Sequence, residues 1–415
     1  MQVKRILIIG GNYYPEPTGI GKYNGEMVDI LANLGYHCTV ITSYPYYPYW
    51  KVQEPYTRYS KWYKRELKWS PSNPANPIEI YRCPQFVPNN PTGKSRMILD
   101  LSFFCFAFLK VSELLFRKKY DSVITVAPSF QIGLLGIFYK KIRGAKFLYH
   151  IQDLQIDAAR DLQMIKSKFL IKTLLRVEKY ILKNADTVSS ISAGMIKKIG
   201  DKYKREIIFF PNWVDVKSFY PVEEKAKLKE EFNLCSSDKV VLYSGAIGEK
   251  QGLESILYAA QSFRDVTNLK FVICGSGPYK DKLKKLVSEE QLNNVFFLPI
   301  QPSEKLNSLL NMADIHLVLQ KENAGDLVMP SKLTTILSVG GLVIVSATPG
   351  TNLYQLVSSN GMGIIVNPGN QNSLPNAIEN VLKNNYENVK RNARKYAEEF
   401  LSIDYVFQKY IPHMQ

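Results

Sequence analysis

Cysteine is sparse and unpatterned in this chain. Cys38, Cys83, Cys105, Cys235 and Cys274 are scattered and odd in number, with no Cys-x-x-Cys or Cys/His ligand spacing. That argues against a disulfide scaffold and a structural metal, and predicts reduced thiols in a cytoplasmic protein. Long uncharged apolar runs are missing as well. The longest, Met97 to Phe116, nears spanning length but carries Asp100, Lys110 and Glu113. Such charges are costly in lipid, so the expectation is a packed helix, with room for one face on a bilayer, in place of a span. The opening MQVKRILIIGGNYYPEP has an apolar stretch too short for a secretory signal, and it runs into a glycine turn, which predicts a first buried strand. No repeat or low-complexity tract is present. With 46% hydrophobic and 22% charged residues, the composition is that of a folded protein.

Negative charge is also in short supply. Lys and Arg total 53 against 37 Asp and Glu, a net charge of +16 and a pI near 9.3. Such a field attracts nucleic acid, phospholipid or phosphorylated substrates. No nucleic-acid signature appears and the lysines are spread over many helices, so no nucleic acid is expected. An anionic membrane surface together with diphosphate substrates is the expected partner set.

The 415 residues are about twice what one hydrophobic core usually holds, so two domains are expected. β-Branched apolar runs alternate with helical patterns: RILIIG, HCTVITS, DSVITVA, KFLYHIQ and DTVSSIS, then VVLYSGAI, LKFVICGSG, NVFFLPI, DIHLVLQ and GLVIVSA. This βαβ rhythm, interrupted once, predicts an α/β protein of two doubly wound parallel sheets. A turn-rich stretch around residues 209 to 225 marks the linker. The expected domains are 1–210 and 211–395, with a helix from about 396 to 415 returning to the first. Residues 44 to 96 are unusual. Tyr and Trp interleave with Lys and Arg (YPYYPYWKVQEPYTRYSKWYKRELKW) where a βα loop needs only a few residues. The segment is either a proline-pinned excursion or an acceptor platform that stacks on sugars and meets phosphate or lipid.

Four stretches can carry chemistry. GGNYYPEPTGIGKYNGEM joins a strand to a helix, and Gly19 and Gly21 permit either close approach of an anion to backbone amides or simply a tight turn. In FLYHIQDLQID, His150 and Asp153 fall at a strand's carboxyl edge, where ligands bind in open α/β sheets, although a lone histidine is commonly a satisfied core residue. YSGAIGEKQGLE and VICGSGPYKDKL are strand-to-glycine turns. Gly245, Gly275 and Gly277 can cradle diphosphate there, with Lys250 to neutralise it. In ENAGDLVMPSKLTTILSVGG, Asp326, Ser331 and Lys332 open a helix. Lys332 and the helix start make a phosphate site, or Ser331 makes an ordinary N-cap.

With PNWVDVKSF, CGSGP, SGAIGEKQGLE, YPYYPYWKV and RCPQFVPNNPTGKSRMILDLSF, the whole chain resembles the family-4 retaining glycosyltransferases of GT-B fold. Within them it is similar to the WcaI-like subgroup of capsule, colanic-acid and O-antigen assembly. The resemblance implies two Rossmann-like domains facing across a cleft. The carboxyl-terminal domain would hold a UDP- or GDP-sugar and the amino-terminal domain a polyprenyl-diphosphate-linked acceptor at the cytoplasmic leaflet, with no metal and no further cofactor. His150 would lie near the donor sugar and Gly19 near the diphosphate. The subgroup suggests fucose or N-acetylfucosamine.

Two departures from the family pattern stand out. The family's Glu-x7-Glu pair reads Leu327 and Thr335, leaving Asp326 to replace the first carboxylate and Thr335 to hydrogen-bond a ribose. The family's Gly-Arg and Lys-Gly read Gly245-Ala246 and Gln251-Gly252, with the charge moved to Lys250 and Lys332. A non-catalytic sugar-binding subunit or a sugar-nucleotide 2-epimerase are the alternatives these losses leave open.

Overall fold

The computed structural model describes residues 4–16, 19–70, 73–161, 165, 167–322 and 330–414. They form two compact units, Met1–Phe210 with Tyr410–Gln415, and Pro211–Lys409.

The first unit is built on β1 (Arg5–Ile9), β2 (His37–Ser43), β3 (Lys64–Ser70), β4 (Asn73–Cys83), β5 (Ser122–Ala127), β6 (Lys146–Ile151), β7 (Thr187–Ser190) and β8 (Ile208–Phe209). They lie in the order β3-β4-β2-β1-β5-β6-β7-β8. All neighbours are parallel except β3, which runs antiparallel to β4. β1 and β5 are buried on both faces, which is why they read as unbroken apolar runs. On one face Leu7, Ile9, Val123, Phe147 and Tyr149 share a core with the helices Gly93–Leu114, Gly133–Arg143, Lys168–Asn184 and Ala193–Lys202.

The β3–β4 hairpin corrects the reading of residues 44 to 96 as one loop. Ile78, Ile80 and Tyr81 of β4 are buried, so Lys64–Ser70 and Asn73–Cys83 belong to the sheet. The edge strand hides its nature because Lys64, Arg65, Glu66 and Lys68 dominate it. Charge on an edge guards against pairing with another chain.

The second unit contains β9 (Lys239–Ser244), β10 (Leu269–Cys274), β11 (Val295–Leu298), β12 (Ile315–Val318), β13 (Val343–Ser346) and β14 (Ile364–Val366). The order is β11-β10-β9-β12-β13-β14, all parallel. Apolar clusters cover both faces. The strand order reverses between β9 and β12, and the carboxyl ends at such a switch point are where open α/β sheets bind ligands.

The tail returns later than residue 396. Helix Glu387–Tyr396 and Ala397–Leu401 stay with the second unit, where Val214 N–H donates to the Leu401 carbonyl and Trp213 meets Phe407 at 4.8 Å. From Tyr410 the chain belongs to the first unit. Tyr410 stacks on Phe210 at 3.6 Å, and its hydroxyl pairs with Ser189 Oγ at 3.2 Å. Tyr410→Ala should therefore open a cavity beside β6 and β7 and cost about 3 kcal/mol. Faster amide exchange across these two strands, with the second unit unchanged, is the expected readout.

Candidate functional site

The strongest constellation lies at the switch point of the second unit. β9 ends in Tyr243 and Ser244, and Gly245 follows at φ +149°. The turn after β10 carries Gly275 and Gly277 at φ +151° and +157°. The two turns are joined like an extension of the ladder. Gly245 N–H donates to the Cys274 carbonyl at 3.0 Å, and Ile247 N–H to the Ser276 carbonyl at 2.9 Å. A Cβ on Gly275 would sit 1.9 Å from the Gly245 carbonyl oxygen, and one on Gly277 2.1 Å from that of Ile247. These glycines are thus demanded first by backbone meeting backbone. Lys280 Nζ donates to the Gly275 carbonyl at 2.9 Å and holds the turn.

Lys332, first residue of helix Lys332–Ser338, reaches into this corner. Its Nζ is buried without a hydrogen-bond partner among the described residues and stands 3.5 Å above the Tyr243 ring centroid. A Cβ on Gly245 would come within 3.4 Å of it, so the glycine leaves the ammonium's flank open. The residue as a whole is only partly buried, while its charged end is enclosed. Burial lowers its pKa to about 7. Among the described residues no anion meets this cation on its aromatic face, so an arriving anion would stabilise it.

The other residues singled out from the sequence are placed less uniformly. Lys250 is exposed on the short turn Glu249–Gln251. Ser331 precedes the Lys332–Ser338 helix but makes no capping bond with its side chain, which corrects the N-cap reading. Thr335 Oγ donates to the Lys332 carbonyl at 3.0 Å. Asp326 and Leu327 lie outside the described residues.

In the first unit, His150 sits near the carboxyl end of β6 at 1% exposure. Its Nδ1 pairs with Ser189 Oγ at 3.0 Å, and its ring meets Phe210 edge-on at 5.1 Å. Burial lowers its pKa to about 3, so it stays neutral. In this arrangement His150 is a core residue beneath Phe210 and Tyr410, and we assign it no contact with a donor sugar.

Gly19 opens the helix Gly19–Asn33 at φ +65°. Gly21 is glycine for a reason the sequence hid: a Cβ there would lie 2.5 Å from the Glu16 carboxylate. Glu16, 2% exposed, is the residue missed in the NYYPEPT insert. Its Oε1 accepts from the Tyr46 and Tyr47 amides, both at 3.0 Å, and its Oε2 accepts from Asn12 at 3.0 Å. It ties the loop after β1 to the aromatic segment after β2. Desolvation raises its pKa to about 7 despite those bonds. The only hint in the sequence was an acid flanked by two prolines.

Two sheets with glycine turns and a poised cation at a switch point describe a glycosyltransferase of GT-B fold. The Thermosynechococcus elongatus sucrose-phosphate synthase shares the fold at TM-score 0.75 and 19% identity, covering 99% of this chain and 98% of that one. Anabaena HepE, solved with UDP and glucose, does so at 0.68 and 15%, covering 99% of each. Family models named "Glycosyl transferase 4-like domain" and "Glycosyl transferases group 1" match residues 18–213 and 224–400. The chain belongs to this glycosyltransferase family. It is 38% identical, over 98% of both chains, to the putative colanic acid biosynthesis glycosyl transferase WcaI of Escherichia coli K12.

Two outcomes are expected. Lys332 has a depressed folded-state pKa, so between about pH 7 and the ordinary lysine range the unfolded chain holds a proton that the folded chain releases, and stability rises with pH. Lys332→Met should therefore raise the melting temperature, most below pH 7, and should flatten the loss of nucleoside-diphosphate affinity expected of the parent from pH 7 to 8.5, as read by titration calorimetry. Glu16→Ala, which strands two buried amides, should destabilise the first unit by about 2–4 kcal/mol in denaturant. Glu16→Gln, which keeps an acceptor, should cost much less.

Proposed function

We propose that the chain transfers a sugar from a UDP- or GDP-sugar to a polyprenyl-diphosphate-linked saccharide in surface-polysaccharide assembly, with retention at the anomeric carbon. The observation that carries this reading is the enclosed ammonium of Lys332 beside Gly245, with no hydrogen-bond partner among the described residues. HepE, of the same fold, binds UDP, and the relative WcaI is named for colanic acid biosynthesis. Both support a nucleotide-sugar donor and a surface-polysaccharide product.

In the proposed reaction the bond from the anomeric carbon to the diphosphate oxygen breaks ahead of attack, and charge gathers on the leaving group. The acceptor hydroxyl oxygen then bonds the anomeric carbon, and its proton passes to the departing phosphate. In this reading Lys332 meets that developing charge. Exposed Lys250 supplies a second cation, and those amides of the glycine turns that are not spent on backbone carbonyls add donors. Preorganisation is the physical advantage: the ammonium is already desolvated, so no water shell has to be removed as charge develops. Thr335 keeps acceptor lone pairs for a ribose hydroxyl, and Asp326, adjacent to Leu327 at the first of the family's paired positions, replaces the missing carboxylate in this reading. No metal is required by this chemistry. The lipid-linked acceptor places the work at the cytoplasmic leaflet, in keeping with the +16 charge.

Mass spectrometry of products from a panel of UDP- and GDP-sugars with a lipid-diphosphate acceptor tests the reading. One donor is expected to yield a glycosylated lipid, and Lys332→Ala to lower turnover by about tenfold or more. Turnover within about twofold of the parent would remove Lys332 from the reaction.

A further inference from the structure

The helix Gly93–Leu114 is two-faced in an unexpected sense. Its inner face, with Leu99, Phe103, Ala107, Val111 and Leu114, is buried in the first unit's core. Its outer face is apolar too. Met97, Ile98, Leu101, Cys105, Phe108 and Leu109 are exposed, Leu101 by 59% and Leu109 by 57%, and Phe116 just beyond is 91% exposed. At 3.6 residues per turn the six fall within an arc of about 120°. Among the described residues no helix is long and apolar enough to cross a membrane, so this stripe is not one side of a span. Soluble surfaces rarely leave such a band uncovered.

What would cover it follows from the neighbouring helices. Gly93–Leu114, Gly133–Arg143 and Lys168–Asn184 pack side by side on the same face of the sheet. Phe108 meets Phe138 at 5.1 Å, and Lys140 Nζ donates to the Asn184 carbonyl at 3.0 Å. On the last of these helices Lys168, Lys172, Arg176, Lys179 and Lys183 are all exposed and fall within an arc of about 80°. A depression bordered by Lys172, Arg176 and Lys179 has Ile171 and Leu175 in its lining, so the cations stand on apolar stems.

The three helices contain only three carboxylates, and none is free to oppose this charge. Asp100 is buried and accepts from Ser129 and Gln155, Glu113 pairs with Lys110 and Arg117, and Glu178 is buried against Lys202. Lys94 and Arg96 lie at one end of the apolar stripe and Arg117, Lys118 and Lys119 at the other. At its rim Tyr63 donates to the Phe106 carbonyl at 2.9 Å, and the adjacent Trp62 is 75% exposed. An apolar band bounded by aromatics and cations, beside a basic stripe with no free acid, matches the layering of a bilayer of anionic lipid.

We propose that this helical layer is the docking surface for an anionic bilayer. The Gly93–Leu114 helix lies in the plane of the interface with its outer stripe in the acyl boundary, and the Lys168–Asn184 helix rests on the headgroup phosphates. The inference rests on the lipid-linked acceptor of the proposed function and specifies the surface that meets the membrane.

Cys105 on the stripe and Cys235 in the second unit are exposed, whereas the remaining cysteines are buried. The full chain carrying Cys235→Ser can therefore be labelled at Cys105 with an environment-sensitive fluorophore, and the Cys105→Ser chain at Cys235. On phosphatidylglycerol-containing vesicles the Cys105 label should shift to the blue and be quenched by acyl-chain spin labels, while the Cys235 label stays in water. Leu101→Glu with Leu109→Glu, both on exposed positions, should lower vesicle partitioning by about a hundredfold with the melting temperature kept. Lys172→Glu with Lys179→Glu should lower it roughly twentyfold or more, and only on anionic vesicles. Flotation of the parent with Cys105 still in water would overturn the surface while leaving the lipid-acceptor reading intact. A parent that floats on no vesicle but glycosylates a short-chain soluble acceptor would overturn docking alone. Failure of both would overturn the two readings together. A vesicle-free dimer dissolved by Leu101→Glu would show that the stripe meets a second copy and would also overturn the proposal.

Discussion

The enclosed Lys332 ammonium, without an anion among the described residues, is the constraint on which the second unit's candidate site depends. Holding Lys332 Nζ enclosed above Tyr243 is unfavourable in a folded protein unless something negative arrives, and the lowered pKa expresses that cost. The surrounding architecture keeps it in place. β9 supplies Tyr243, its carboxyl end lies where the strand order reverses, and Gly245 leaves the side of the ammonium clear. The cation's instability in the free chain and its usefulness toward a diphosphate have one cause, the removal of water.

The glycine turns show how one residue type serves two purposes. Gly275 and Gly277 are required by the carbonyls of Gly245 and Ile247, which approach too closely for any side chain. The same contact locks the two turns together, so amides near the ammonium are held by backbone hydrogen bonds instead of by loop entropy. In the first unit Glu16 acts comparably, bridging the loop after β1 and the aromatic segment through two hydrogen bonds, with a third from Asn12 within the loop and Gly21 making room. Each unit fastens its strand-end loops to one another, one through peptide groups and the other through a buried carboxyl.

Much of the fold was legible because buried parallel strands announce themselves as continuous β-branched runs, and ten of them stood out in order. β3 and β4 did not, since an edge strand of alternating Lys, Arg and Glu resembles a loop, and short β8 and β14 offered too few residues. Lys332 was legible as a charge next to a helix start, whereas its seat on Tyr243 depends on a residue some ninety positions away. His150 was correctly placed near a strand's end. Its enclosure by Phe210 and Tyr410 follows from the tail's return, which helical periodicity cannot reveal. Glu16 escaped notice because an acid among prolines gives no sign of the amides it will meet.

A crystal structure of the chain with bound nucleoside diphosphate addresses the central point most directly. The expected result is a diphosphate oxygen within hydrogen-bond distance of Lys332 Nζ, with the ammonium drawn off the Tyr243 ring toward the flank that Gly245 leaves open. A nucleotide bound elsewhere, with Lys332 still resting on Tyr243, would contradict the account.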